Sequence, residues 1–215
     1  MAVLFPSWSL LAAFTVAAFV LAVTPGPGVF YIVTRSLAQG RRSGLASVVG
    51  VALGNLGNAV AAAAGLGALF AFSSAAFSIV KFAGAAYLIY LGVQTLCRQP
   101  TDLSPNVRRV TQPWRVFRDG VVVALLNPKT TLFFAAFLPQ FMSPSAAPML
   151  QSIALGALFV VIAVITDSVY AVGAGAFAPY LRRVRRLRVA GCIVSGGAFI
   201  GLGVFAALGE TRSGK

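Results

Sequence analysis

The chain has 215 residues, 59% hydrophobic and 10% charged, with no histidine and a mean hydropathy of +0.89. A soluble domain carries about a quarter charged residues, so this composition excludes a water-soluble globular protein and points to an all-α polytopic membrane protein. The formal charge of +13 would suggest nucleic acid in a soluble chain, but here the basic residues lie between apolar runs, so membrane lipid is the expected partner and nucleic acid is not.

Six apolar runs are long enough to cross a bilayer, which takes about 20 residues: 10–34, 45–72, 77–96, 116–141, 149–177 and 189–208. No lysine or arginine precedes Arg35, so the first run lacks the positive start of a secretory signal and is expected to be a retained span. Inside it, Thr24-Pro25-Gly26-Pro27-Gly28 interrupts the apolar pattern. A proline removes a donor and blocks the carbonyl one turn back, so the helix must open there. In lipid, the freed groups must face protein or a water-filled cavity. In the second run, Gly50 and Gly54 form a G-x-x-x-G that lets helix backbones approach closely, within the chain or in a homodimer. Asn55 and Asn58 share one face of that helix, where they line a polar path or tie helices together. Lys81 stands at the outer end of the third run and reads as a snorkelling anchor.

The fourth run is broken in the same way as the first, at Asn127-Pro128-Lys129. Two broken spans in corresponding positions of two halves are the strongest sequence pointer to a transporter's binding site. Asn127 is also an ordinary turn former before proline. Lys129, the only base within the run, balances an acid, contacts a substrate carboxylate, or snorkels to the boundary. Asp119 stands at the inner end of the run, where stabilisation of the helix N-terminus explains it. In the fifth run Asp167 lies deep among apolar residues, where a carboxylate costs about 2.5–3.5 kcal/mol on insertion scales. We expect it to take up and release a proton during transport, against the plainer reading of an acid paired permanently with a base. Tyr87, Tyr90 and Tyr170 read as packing or interfacial residues.

Orientation follows from the basic residues. The first connection holds Arg35, Arg41 and Arg42, the third holds five arginines, and the fifth holds Arg182, Arg183, Arg185, Arg186 and Arg188, whereas 73–76 and 143–148 hold none. This places the odd connections in the cytoplasm and both termini outside. The longest connection, with Pro100, Pro105 and Pro113, reads as an irregular cytoplasmic linker over about 98–115. It splits a single transmembrane domain, 1–215, into repeats at about 8–97 and 116–209, and with three spans in each the second is inverted. Residues 84–88 can be laid on 196–200, and Pro25-Gly26-Pro27 on Asn127-Pro128-Lys129. There is no Walker A sequence, no H-E-x-x-H and no cysteine cluster, Cys97 and Cys192 being far apart. No enzyme activity, cofactor or metal site is therefore expected.

Several motifs in order resemble the lysine and homoserine exporter (LysE/RhtB) family of amino-acid efflux permeases. They are Thr24-Pro25-Gly26-Pro27, Ala38-Gln39-Gly40-Arg41-Arg42-Ser43-Gly44, the run from Lys81 to Gly92, Asn127-Pro128-Lys129, and Phe137-Leu138-Pro139-Gln140-Phe141. Gly28 departs from the asparagine that many members carry. The resemblance implies six spans in the bacterial inner (plasma) membrane and export of amino acids or similar small zwitterions driven by the proton-motive force. It assigns Pro25, Gly26, Pro27, Asn127, Pro128 and Lys129 to a central region, with Asp167 matching an acid in the fifth span. Two other functions stand beside export of an amino acid. A divalent-metal exporter is disfavoured by the lack of histidine and by a single deep acid. A non-transporting scaffold would use Arg182-Arg183-Val184-Arg185-Arg186 to dock acidic lipid or an acidic partner.

Overall fold

The structure, a computed structural model, describes residues 6–64, 74–97, 112–143, 147–183 and 185–208. All regular structure among them is helical. The apolar run of α1 (Trp8–Val23) contains neither glycine nor proline and ends where Pro25 withdraws the next donor. After the break, α2 (Pro27–Gln39) starts with proline at its first position, where the missing N–H is no loss. The two helices meet at 47°.

α2 runs on to Gln39, so the expected first connection is not a loop. Gly40 alone, at φ 89°, separates α2 from α3 (Arg41–Ala63), in a left-handed conformation that any side chain would strain. Arg35 consequently lies inside a helix, and Arg41 and Arg42 open the next one. α4 spans Ser74–Leu96, and α5 (Pro113–Leu125) begins within the stretch expected to be linker, of which 98–111 falls outside the described residues.

The fourth run is discontinuous. α5 stops before Asn127, and α6 (Pro128–Leu132) passes into a π-helical turn, Phe133–Phe137, and a 3-10 turn, Leu138–Phe141. Pro139 deprives the Ala135 carbonyl of its ordinary donor, which accounts for the irregular winding around it. α7 (Pro148–Arg183) and α8 (Arg185–Leu208) complete the chain, and helix occupies most of the expected connection at 182–188. The side chains of Lys81 and of the arginines at 182–188 lie outside the described residues.

By length and composition, Arg41–Ala63 and Pro148–Pro179 can each cross a membrane, and the bent α1–α2 pair makes a third such span. α3 sits at the centre, packed on α5 on one side and α7 on the other, while α4 packs on α8 and α2 lies against α7 and α3. The contact of α3 with α5 explains the G-x-x-x-G. A side chain at Gly50 would collide with the Phe117 carbonyl, and one at Gly54 with Ala124 and the Val121 carbonyl. Both glycines are therefore used inside the chain. An aromatic cluster of Phe14, Phe133, Phe134 and Phe159, joined by Phe141, fills the end of the bundle formed by α1 and residues 133–159. A second apolar cluster, with Tyr31, Val48, Leu88, Val123 and Phe199, fills the other end.

Candidate functional site

Each proline at the two breaks leaves one carbonyl, four residues earlier, without its helical donor. Pro25 vacates Leu21, Pro27 vacates Val23 and Pro128 vacates Ala124. All three carbonyls are taken up by side chains from elsewhere in the chain. Lys129 Nζ donates to the Leu21 carbonyl at 2.7 Å and to that of Thr24 at 2.5 Å. Tyr170 Oη donates to Val23 at 2.8 Å, and Asn58 Nδ2 to Ala124 at 2.9 Å. Lys129 therefore does not snorkel. It crosses to the first break, where its aliphatic chain lies 3.2 Å from the position a Cβ on Gly26 would occupy.

Gly26 caps α2 and Asn127 caps α6, the Asn127 side chain accepting the Lys129 amide at 3.1 Å. As helix starts, Gly26-Pro27 is therefore like Asn127-Pro128, each with proline just after the cap, which is one residue away from laying Pro25-Gly26-Pro27 on Asn127-Pro128-Lys129. Around them the donors are placed alike. Asn58 on α3 reaches the second break and Tyr170 on α7 reaches the first. Three residues before each stands a buried polar side chain, Asn55 on α3 and Asp167 on α7, 5% and 6% exposed. Asn55 Oδ1 has no hydrogen-bond partner among the described residues. Lys129 acts electrostatically on Asp167, but the two form no direct ion pair. Thr130 and Thr131 are also buried at the second break.

The structure assigns Tyr170 and Asp119 different work from what their sequence neighbourhood suggests. Tyr170 is a cap on a broken helix rather than an interfacial ring. Asp119 is only 2% exposed, so Asp167 is not uniquely sequestered. Its Oδ2 lies 3.3 Å from Arg35 Nη2, and its Oδ1 lies 3.3 Å from Arg118 Nη2 and accepts Tyr87 Oη at 3.3 Å. Asp119 thus joins α2, α4 and α5, a role beyond stabilising a helix N-terminus. The Arg35 guanidinium lies 5.2 Å from the centre of the Tyr31 ring. The sequence signal for this cluster was an acid and a base near the ends of two apolar runs, which does not identify partners 84 residues apart. Among the described residues no three His, Cys, Asp or Glu side chains group to hold a metal ion.

Two interrupted helices joined by a half-buried lysine, with a buried carboxylate acting on it electrostatically, are the pattern of membrane translocators. The chain is a member of the LysE type translocator family, whose profile matches residues 19–210, and it is a transporter rather than an enzyme. It is 32% identical over 176 residues to the homoserine/homoserine lactone efflux protein of Salmonella typhimurium, covering 82% of this chain and 85% of that one. A membrane protein of Vibrio cholerae is 32% identical over 171 residues, covering 79% and 83% of the two chains. The leucine efflux protein of Salmonella choleraesuis is 29% identical over 134 residues, covering 62% and 63%. No solved structure matches the chain.

Proposed function

We propose that this translocator exports amino acids, or similar small zwitterions, across the bacterial inner membrane by proton antiport. Its six spans would form two inverted three-helix repeats that meet at the breaks. The observation that carries this reading is the reciprocity of the caps: Tyr170 of the second half on the first break, and Asn58 of the first half on the second, each three residues from a buried polar group. The packing of α5 on α3 and of α1 on α7, with α3 on α7 and α4 on α8 across the halves, is what exchange of the halves would produce. The names of the Salmonella relatives support an amino-acid substrate.

In this mechanism the substrate occupies the region of Pro25, Gly26, Pro27, Asn55, Asn58, Asn127, Pro128 and Lys129. The N-terminus of α2, which no side chain caps, offers N–H groups to its carboxylate. Asp167 faces the ammonium and carries the counter-transported proton. Thirteen of the seventeen Lys and Arg fall in the odd-numbered connections read from the sequence, which supports a cytoplasmic place for those connections and both termini outside. The test is Asp167→Asn in vesicles preloaded with labelled amino acid under an imposed proton gradient. Folded protein that no longer responds to the gradient is expected. Gradient-driven export at the wild-type rate would refute the coupling role.

A further inference from the structure

We infer that Arg35 and Asp119 form a loading site for the zwitterion at the cytoplasmic mouth, where the substrate opens the pair by exchanging partners with it. This rests on the reading of the chain as an amino-acid exporter but assigns a site separate from the central one. Arg35 lies eight residues after Pro27 on α2, and Asp119 eight residues before Asn127 on α5. At 1.5 Å per residue, both stand about 12 Å from the breaks, towards the arginine-bearing end. The half-helices beyond the breaks run instead into the aromatic cluster of Phe14, Phe133 and Phe159. One end of the central region is therefore closed by close-packed apolar rings, and at the other the charged pair stands beside the second apolar cluster, with Arg35 against Tyr31.

The pair is built to be opened. Its contact is 3.3 Å, longer than the 2.7–2.9 Å or so of a well-made N⁺–H···O⁻ bond. Asp119 divides its oxygens among Arg35, Arg118 and Tyr87, all at 3.3 Å. Arg35, 7% exposed, leaves Nε buried without a partner among the described residues, although a guanidinium can hold a carboxylate through two parallel bonds. Arg118 is 60% exposed at its side chain while in contact with the buried Asp119, so water lies one side chain away.

An amino acid carries the two charges of this pair in complementary order. Its carboxylate takes the spare donors of Arg35, and its ammonium takes Asp119, which Tyr87 and Arg118 hold in place. Neither buried charge is uncovered at any point, which avoids the large cost of breaking a buried pair by removing one partner. Opening thus requires the substrate, and the empty carrier stays shut at this end.

The test compares two solutes in reconstituted vesicles, corrected for leakage from protein-free vesicles: homoserine, a zwitterion, and homoserine lactone, which keeps the ammonium but has no free carboxylate. Arg35→Gln is expected to raise the half-saturating concentration of homoserine about tenfold or more, the scale of one charge-assisted bond, and to leave that of the lactone near the wild-type value. Asp119→Asn is expected to weaken both. Should Arg35→Gln not accumulate in the membrane, Arg35→Lys keeps the charge without the paired donors and is expected to show the same selective loss. An equal change for both solutes, or none for either, overturns the loading site while leaving the export function standing. Wild-type vesicles that export no amino acid overturn the export function and this site with it.

Discussion

Lys129→Met removes the one donor that serves the Leu21 carbonyl, since Pro25 has no N–H to replace it, and also removes the contact with Thr24. Hydrogen bonds inside membrane proteins contribute about 0.6 kcal/mol on average and up to about 1.7, and a charged donor roughly doubles a neutral bond. The Thr24 bond is exposed and adds little. The expected loss of stability is therefore about 1–2 kcal/mol, or about 2–8 °C in the unfolding midpoint of a chain this size. A thermal scan of the purified protein in detergent reads it directly. Lys129→Arg retains charged donors at the position and should recover most of the midpoint. Asp167→Asn should lower the midpoint less than Lys129→Met, because Asp167 makes no direct ion pair with Lys129. An unchanged midpoint for Lys129→Met, or equal damage from Lys129→Arg, would refute the capping role.

The same scan checks two further expectations. Gly50→Ala forces a methyl group onto the Phe117 backbone and should cost about 1–3 kcal/mol, as overpacking does. Gly197→Ala meets nothing within 4 Å and should be neutral or gain about 0.5–1 kcal/mol from better helix propensity. Equal losses at the two glycines would contradict the close α3–α5 seam. Tyr170→Phe deletes only the hydroxyl that caps Val23, a neutral bond worth about 0.6 kcal/mol. Its midpoint should fall by less than that of Lys129→Met, and a larger fall would mean that Tyr170 does more than cap.

The helix breaks were legible because proline acts locally, on its own donor and on a carbonyl four residues away. The small-residue seam was legible for a similar reason, although Gly50 and Gly54 alone did not distinguish an internal contact from a homodimer. Identifying what answers a break requires knowing which distant side chain arrives there. Tyr170 and Lys129 are separated from their carbonyls by more than a hundred residues, and an apolar stretch around a tyrosine carries no mark of its partner. The Arg35–Asp119 pair was hidden more thoroughly, because a base at the end of an apolar run is also what membrane orientation produces. The extension of α2 to Gln39 removed that ambiguity. It depends on Gly40 turning the chain within one residue, which the residue type permits but does not require. Laying Pro25-Gly26-Pro27 on Asn127-Pro128-Lys129 differs by one residue from matching the capping positions, Gly26 and Asn127, because a proline motif alone does not show which residue starts the helix.

The capping of the first break also sets a timetable for biogenesis. The Leu21 carbonyl waits for a lysine 108 residues further along the chain, and Val23 for a tyrosine 147 residues further. At about 5–20 residues per second, the second donor reaches the nascent chain about 7–30 s after its acceptor. Until then the opened helix must stay beside water or the insertion machinery, because a bilayer core has nothing to offer its bare carbonyls. Insertion of the first span is thus completed by the last third of the protein.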